Sequence, residues 1–229
     1  MILTTIDGQR DAILKWVRDD PSVLSRRDPV NATPLLLLVL FNHIDIAKEV
    51  LEEKPKHIAD SYGSGPYEGE NCLHIAIVNR DLSFASFLCA RCPALLHQRA
   101  KGSFFAPGMA CYYGELPLSF AASTRQTEMV HLMLRTGARI DAVDSFRGNN
   151  ALHHAILHDC IDQYKVLKKY CDGSGGEEDG SSQQPSYCDL PRRRNKDGLS
   201  CIELCAAVGS KEAFEFLIED MRETQWTYG

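Results

Sequence analysis

The chain contains 229 residues with a mass of 25.6 kDa, of which 44% are hydrophobic and 24% are charged, and this composition excludes a disordered polymer. The formal net charge of −6 disfavours a protein that mainly binds nucleic acid, because such domains usually carry a basic face. The longest uncharged apolar run, Pro34–Phe41, is far shorter than the roughly 20 residues of a membrane-spanning helix. No basic segment with a long apolar core opens the sequence, so we expect a cytosolic protein rather than a secreted one.

A helix–turn–helix unit is predicted to recur along the chain. The first helix, Gln9–Asp19, stands alone and places Ala12, Ile13, Trp16 and Val17 on one face. Five similar segments follow: Thr33-Pro-Leu-Leu-Leu-Leu, Asn71-Cys-Leu-His-Ile-Ala, Leu116-Pro-Leu-Ser-Phe-Ala, Asn150-Ala-Leu-His-His-Ala and Ser200-Cys-Ile-Glu-Leu-Cys. Each precedes a second helical stretch, and these stretches are Ile44–Glu53, Leu82–Arg91, Thr127–Arg135, Asp162–Tyr170 and Lys211–Met221.

The five segments are degenerate forms of the T-P-L-H-x-A signature of the ankyrin repeat. The template has a mechanical basis, since a polar residue caps the helix, Pro is tolerated in its first turn and Leu enters the core. We therefore predict an all-α fold, an ankyrin-repeat solenoid of six repeats with the first one incomplete. The predicted domain covers residues 1–221, with repeat cores near 1–20, 33–53, 71–91, 116–135, 150–170 and 200–221.

Most repeats carry insertions, because the five motifs start at residues 33, 71, 116, 150 and 200, whereas a regular ankyrin repeat has about 33 residues. Such insertions fit where they do not separate the helices, in finger loops that project from one side. The loop 100–113 is unusually rich in aromatic residues. The stretch 172–186 consists of Gly, Ser and acidic residues and is predicted to be flexible.

Four blocks of the sequence are more specific than the repeat signature: Tyr67-Glu-Gly-Glu-Asn-Cys-Leu-His-Ile-Ala-Ile, Tyr113-Gly-Glu-Leu-Pro-Leu-Ser-Phe-Ala-Ala, Asp144-Ser-Phe-Arg-Gly-Asn-Asn-Ala-Leu-His and Asn195-Lys-Asp-Gly-Leu-Ser. With these blocks the sequence resembles the cytosolic ankyrin domain of vanilloid-type TRP cation channels. The closing residues 222–229 resemble the start of the family's linker toward the membrane part. The resemblance implies a regulatory and assembly module of a tetrameric, calcium-permeable channel, at the cytoplasmic face of a membrane, that does not itself conduct.

The resemblance also implies that the fingers contact other subunits of the same channel. The predicted partner-contact residues are Phe104, Phe105, Tyr112, Tyr113, Tyr67, Trp226 and Tyr228. A competing account is that these rings only pack the fingers of one subunit together. A different class of function also stays open, a free-standing ankyrin scaffold that binds a soluble protein.

Some members of the family bind ATP or calmodulin on the concave surface of the domain. The two lysine positions of the ATP site match Ala32 and Leu37 here, the glutamine position matches Glu70, and a Glu-Arg pair matches Val78 and Asn79. Only Tyr67 keeps the family identity. Since a triphosphate needs positive charge or backbone donors, we predict no ATP site of that type. Calmodulin remains a candidate partner, although the cationic stretch Lys165–Tyr170 is short for its targets.

Catalytic, cofactor and metal sites are not expected. His154 and His158 share one helical face, but no H-E-x-x-H arrangement surrounds them, and His74 and His153 occupy the structural histidine position of the repeat. The chain has nine cysteines, and an odd number cannot all pair in disulfides within the chain. Most of them lie in apolar runs, which indicates reduced, buried thiols.

Overall fold

The computed structural model describes residues 6–173, 187 and 189–225. Within these residues one helix precedes five helix pairs, and apart from an isolated bridge between Ser61 and Asn71 there is no β-structure. The helices are α1 (Ile6–Asp19), α2 (Pro34–Leu40), α3 (Ile44–Glu53), α4 (Cys72–Val78), α5 (Leu82–Arg91), α6 (Pro117–Ser123), α7 (Thr127–Arg135), α8 (Ala151–Leu157), α9 (Ile161–Cys171), α10 (Cys201–Val208) and α11 (Lys211–Gln225).

Helices α4 and α8 begin at an asparagine of the sequence motif whose side chain caps the helix, whereas Leu116 at the start of α6 makes no such bond. The Asn71 side chain accepts hydrogen bonds from the backbone N–H groups of Leu73 and His74, at 2.9 and 3.1 Å. Asn150 caps α8 in the same way, through the N–H of His153 at 3.0 Å. These bonds satisfy donors that have no partner inside the helix, so the motif fixes where α4 and α8 start.

Each helix pair turns through a residue with left-handed backbone. The five residues are Asn42, Arg80, Arg125, Asp159 and Gly209, with φ between 52° and 74°. Only the last is a glycine, although this conformation costs a residue with a Cβ about 1–2 kcal/mol. The geometry of the repeated turn therefore outweighs the preference of the four non-glycine residues for a negative φ.

The helices form two layers. The first helices of the pairs, α2, α4, α6, α8 and α10, stack in chain order, while α1 packs on α3, α5 on α7, and α7 on α9. One continuous apolar core runs between the layers and includes the fully buried Phe84, Phe120 and Tyr164. The arrangement confirms the predicted all-α ankyrin-repeat solenoid.

The observed helices agree closely with the predicted ones. α3, α5 and α7 have the predicted bounds, and α9 is one residue longer at each end. α11 continues to Gln225, so the first four residues of the predicted linker are helical. The predicted flexible stretch, apart from Asp172 and Gly173, lies outside the described residues, as do residues 226–229. The count of six repeats depends on counting α1 as an incomplete repeat and stays a prediction.

Candidate functional site: the aromatic fingers

Two neighbouring finger loops are joined through their backbones. We call residues 61–70 the second finger and residues 100–115 the third finger. The N–H groups of Lys101 and Gly102 donate to the Glu68 carbonyl at 2.7 and 3.1 Å, and the N–H of Phe104 donates to the Pro66 carbonyl at 3.0 Å. Because three interfinger bonds fall within four residues, the two fingers are held together as one unit.

Two glycines permit this close approach. A Cβ on Gly102 would lie 2.0 Å from the carbonyl oxygen of Pro66, and one on Gly69 would lie 2.1 Å from that of Arg99. Real Cβ atoms never approach a backbone oxygen so closely. The glycines are therefore required for contact between the fingers rather than for a turn alone.

A chain of aromatic rings connects the fingers to the core. The Tyr67 and Phe104 ring centroids lie 5.1 Å apart, those of Phe104 and Phe105 5.3 Å apart, and those of Phe105 and Phe120 5.3 Å apart. Phe105 is only 2% exposed, whereas Phe104 is 37% exposed. Such tilted and edge-to-face pairs are favourable beyond their buried area. The cluster thus anchors the finger through Phe105 and presents Phe104 to solvent.

The two tyrosines at the end of the third finger contact helix α8 and its neighbours. The ring of Tyr113 is half-buried against Phe120 and His158, with centroids 5.4 and 5.3 Å apart. The Tyr112 hydroxyl is buried and donates to Asp144 at 2.8 Å, and it accepts from the Asn149 amide at 3.1 Å. Both rings therefore contribute to packing within this chain.

Asp144 is a buried acceptor that ties the third finger to the next one. Besides Tyr112, it accepts from His154 Nε2 at 2.8 Å and from the backbone N–H of Arg147 at 2.7 Å. Burial by itself would raise the pKa of Asp144, but the hydrogen bond and charge of His154, with the Tyr112 hydroxyl, lower it to about 2. The carboxylate is consequently ionised and shared between two fingers.

The Tyr113-Gly114-Glu115 block has a structural explanation. A Cβ on Gly114, whose φ is +86°, would lie 2.3 Å from His154 Nε2. Glu115 is fully buried with φ +60°, and its carboxylate accepts from Arg99 at 2.6 Å and from the Ser145 N–H at 3.0 Å. The block therefore positions a buried carboxylate that links the two ends of the third finger to the following loop at Ser145.

The repeat histidines are structural, as the sequence predicts. His74 Nε2 donates to the Glu115 carbonyl at 2.9 Å and His153 Nε2 to the Leu199 carbonyl at 3.2 Å, so each ring bonds to the next finger. Burial lowers the pKa of each of these histidines to about 4, although the carbonyl contacts oppose the shift. Both rings are therefore neutral near pH 7.

The predicted partner-contact residues fall into three groups. Phe105 and Tyr112 are buried inside this chain, which favours the internal-packing account for those two rings. Phe104 is exposed, and Tyr67 and Tyr113 are half-buried. Trp226 and Tyr228 lie outside the described residues. Sequence reasoning did not select Met109, which is 50% exposed on the third finger and was visible only as one more apolar residue in the loop.

The positions matched to the family's ATP site carry no cationic side chain. Ala32 is buried and Leu37 is half-buried. Burial raises the pKa of Glu70 to about 7, so this carboxyl is partly protonated at neutral pH. The Asn79 amide donates to the Val39 carbonyl at 3.1 Å, and Val78 is exposed.

In the part of the chain that the structure describes, no group of three or more His, Cys, Asp and Glu side chains is placed to hold a metal ion, and no helix is both long and apolar enough to cross a membrane. Eight of the nine cysteines lie in this part, and six of them are buried. Burial raises the pKa of Cys205 to about 11, which is unsuited to a nucleophile.

The fold and fingers define an ankyrin-repeat domain, and the ankyrin repeat family model matches residues 113–145. An ankyrin repeat is a protein-interaction module.

The chain is 32% identical over its full length to the transient receptor potential cation channel subfamily V member 6 of Homo sapiens and covers 29% of it. It is 31% identical over 94% of its length to member 5 of Mus musculus and covers 29% of that protein. It is 30% identical over 91% of its length to member 2 of Homo sapiens and covers 28%. The chain is therefore similar over nearly its whole length to one part of these subfamily V channels, and it spans less than a third of their length.

Proposed function

We propose that the chain is the cytoplasmic regulatory and assembly module of a tetrameric, calcium-permeable cation channel. Similarity over its full length to subfamily V channels is the observation that carries this proposal. In this role the domain binds other subunits of the same channel, and the channel portion holds it at the membrane.

The tip of the joined second and third fingers is the surface that fits a neighbouring subunit. Phe104 and Met109 are exposed there, while Phe105 and the interfinger bonds hold the loop in place. Exposed aromatic side chains on a rigid support are typical of residues that dominate binding energy at interfaces, at about 2 kcal/mol or more each. The proposed partner contact therefore centres on Phe104, with Tyr67 beside it.

Replacing Phe104 with Ala, and separately Phe105 with Ala, tests this role. Phe104→Ala should leave the melting temperature of the isolated domain nearly unchanged but weaken tetramers or alter currents in the complete channel. Phe105→Ala should lower domain stability by about 3 kcal/mol or more, because it removes a buried ring. If Phe104→Ala channels assemble and gate normally, the partner contact lies elsewhere.

A free-standing ankyrin scaffold is the second candidate, since the same fold binds soluble proteins in other contexts. Reading the coding sequence beyond residue 229 separates the two, because a channel requires further membrane-spanning helices of about 20 residues each. A reading frame that ends without such helices would overturn the channel proposal.

ATP binding of the family type is not expected, because Ala32 and Leu37 replace the two lysines and Glu70 adds an acidic group. A ligand at 100 times its dissociation constant stabilises a protein by about 2.7 kcal/mol, so millimolar ATP should leave the melting curve unchanged. A clear upward shift would contradict this prediction. Calmodulin stays a candidate partner, and a pull-down with and without calcium tests it.

A further inference from the structure

An apolar groove of about 200 Å³ lies at the first repeat, between α1, the 3₁₀ turn Pro21–Ser25 that follows it, and α2. Among the described residues that line it, only Arg26 and His43 are ionisable. Trp16 and Phe41 also line it, and they are 40% and 53% exposed. Large apolar side chains therefore face solvent together at this place, which is a feature of surfaces that meet a partner segment.

The core-facing side of α1 is uncovered where every later second helix is covered. The later second helices all begin two residues after their left-handed turn residue, and α1 joins their register when Pro21 is set against Pro55. Trp16 then corresponds to residues that are at most 4% exposed, namely Val50, Leu88, Met133, Leu167 and Leu217. Ala12 is likewise exposed, although its counterparts are all buried, namely Ile46, Phe84, Met129, Gln163 and Ala213.

The missing cover has the position of a first helix. α2 packs on α3 of its own pair and on α4 of the next pair, and the later first helices follow the same rule. A first helix belonging to α1 would therefore pack on both α1 and α2, and the groove lies between these two helices. No helix precedes α1 among the described residues.

Gly8 stands where the chain would have to turn. In the common register it corresponds to Asn42, and thus to the five residues with left-handed backbone that join the later helix pairs. Glycine adopts this conformation without strain. It is also a weak helix former, so the straight start of α1 through Gly8 gains little from local preference.

Residues 1–6 match the missing helix in pattern and length. They fall on the positions of residues 35–40 in α2, and the first three of them, Met-Ile-Leu, are apolar. The first two take the places of Leu35 and Leu36, which are fully buried. Six helical residues extend about 9 Å, nearly the length of the seven-residue α2 that forms one wall of the groove.

We propose that residues 1–6 fold back at Gly8 and occupy this groove as the first helix of the first repeat. In this arrangement the chain turns at residues 7–9, the second helix begins at Arg10, and Trp16 and Phe41 are covered. It is an alternative to the straight start of α1 at Ile6, and it removes apolar surface from water in exchange for one turn of helix. The arrangement does not depend on the proposed channel function.

Acrylamide quenching of Trp16 fluorescence tests this arrangement. A Trp226→Phe background leaves Trp16 as the only tryptophan, and the same chain without residues 1–5 serves as the open reference. The quenching constant of the full chain should be several-fold lower, because the exposure of Trp16 falls from 40% toward the 0–4% of its counterparts. Equal quenching in the two chains would overturn the proposal. Protection that grows with protein concentration would assign the groove to a second copy and would also overturn it.

Two substitutions at Gly8 test the turn. Gly8→Ala should favour the straight helix by about tenfold, because alanine resists left-handed backbone and is the better helix former, so quenching should approach that of the open reference. Gly8→Asn is the matched control and should keep Trp16 protected, since Asn42 holds the same conformation at the corresponding turn. The proposal fails if the two variants quench alike.

A second pair of variants tests which residues enter the groove. Ile2 has the buried Leu36 as its counterpart, whereas Ile6 has Leu40, which is 44% exposed. Ile2→Ser should therefore expose Trp16 to acrylamide, while Ile6→Ser should leave it protected. Circular dichroism checks that the later repeats stay folded in both variants. Equal effects, or the reverse order, would exclude this packing.

Discussion

Removing the hydroxyl from Tyr112 and, separately, from Tyr164 should give opposite results, although both side chains are buried tyrosines and both changes are Tyr→Phe. The Tyr112 hydroxyl donates to Asp144 at 2.8 Å and accepts from Asn149 at 3.1 Å. The Tyr164 hydroxyl has no partner among the described residues. The pair therefore separates the contribution of a satisfied hydroxyl from that of an unsatisfied one.

The expected magnitudes follow from these contacts. A hydrogen bond to a charged group contributes about 1.5–3 kcal/mol, and Tyr112→Phe also leaves Asp144 with one donor fewer in a buried place. We expect Tyr112→Phe to lower the free energy of unfolding by about 2–3 kcal/mol, which corresponds to about 4–12 °C in melting temperature for a chain of this size. Tyr164→Phe removes only an unpaired polar group, so its stability should stay equal to the parent's or rise.

Urea and thermal unfolding followed by circular dichroism measure both variants under one set of conditions. The slope of the free energy against urea must also be compared, because a repeat array can lose cooperativity and then a single midpoint misleads. The reasoning is refuted if Tyr164→Phe costs as much as Tyr112→Phe, or if Tyr112→Phe has no effect.

Three further predictions concern the fingers and the turns. Gly102→Ala should cost about 2 kcal/mol or more in urea unfolding, because its Cβ would meet the Pro66 carbonyl, while exposed Ser103→Ala should be neutral. The Arg80→Gly variant should be about 1 kcal/mol more stable than the Arg80→Ala variant. Both variants lose the hydrogen bond to the Thr124 carbonyl, but only glycine adopts the positive φ of this position without strain. The opposite order of stability would contradict this prediction. The pKa of Glu70 is raised from the ordinary 4.5 to about 7 in the folded state. Between these two pH values the unfolded state loses this proton while the folded state keeps it, so the free energy of unfolding falls as the pH rises. Glu70→Gln should therefore stabilise the domain by about 1–3 kcal/mol at pH 8 and have little effect near pH 4, and a benefit independent of pH would refute the assignment.

Sequence patterns predicted the helices well because each repeat uses local signals. Asn71 and Asn150 cap helices through residues only two or three positions away, so their effect is written in the adjacent sequence. The bounds of α3, α5 and α7 were predictable for the same reason. The full-length resemblance to vanilloid-type channels was likewise visible in continuous blocks of sequence.

The candidate site was only partly predictable. Aromatic density in residues 100–113 indicated a special finger, but it could not separate Phe105, which is buried, from its neighbour Phe104, which is exposed. That difference arises because Phe105 packs on Phe120 of the core. The contact between the two fingers depends on Gly69 and Gly102, which read in sequence as ordinary turn glycines. No pattern in the neighbouring sequence indicated that the Glu115 carboxylate would be buried and paired with Arg99.

The sequence by itself determined the class of fold, the helix boundaries, the positions of the fingers and the family resemblance, because all of these depend on short-range periodicity and on continuous motifs. Only the tertiary structure decided which finger rings face solvent, how Asp144 joins Tyr112 and His154, and that the Tyr164 hydroxyl is buried with no hydrogen-bond partner among the described residues. These features bring together residues 10 to more than 30 positions apart, and the free energy of such contacts depends on packing, burial and hydrogen-bond geometry that no local pattern encodes.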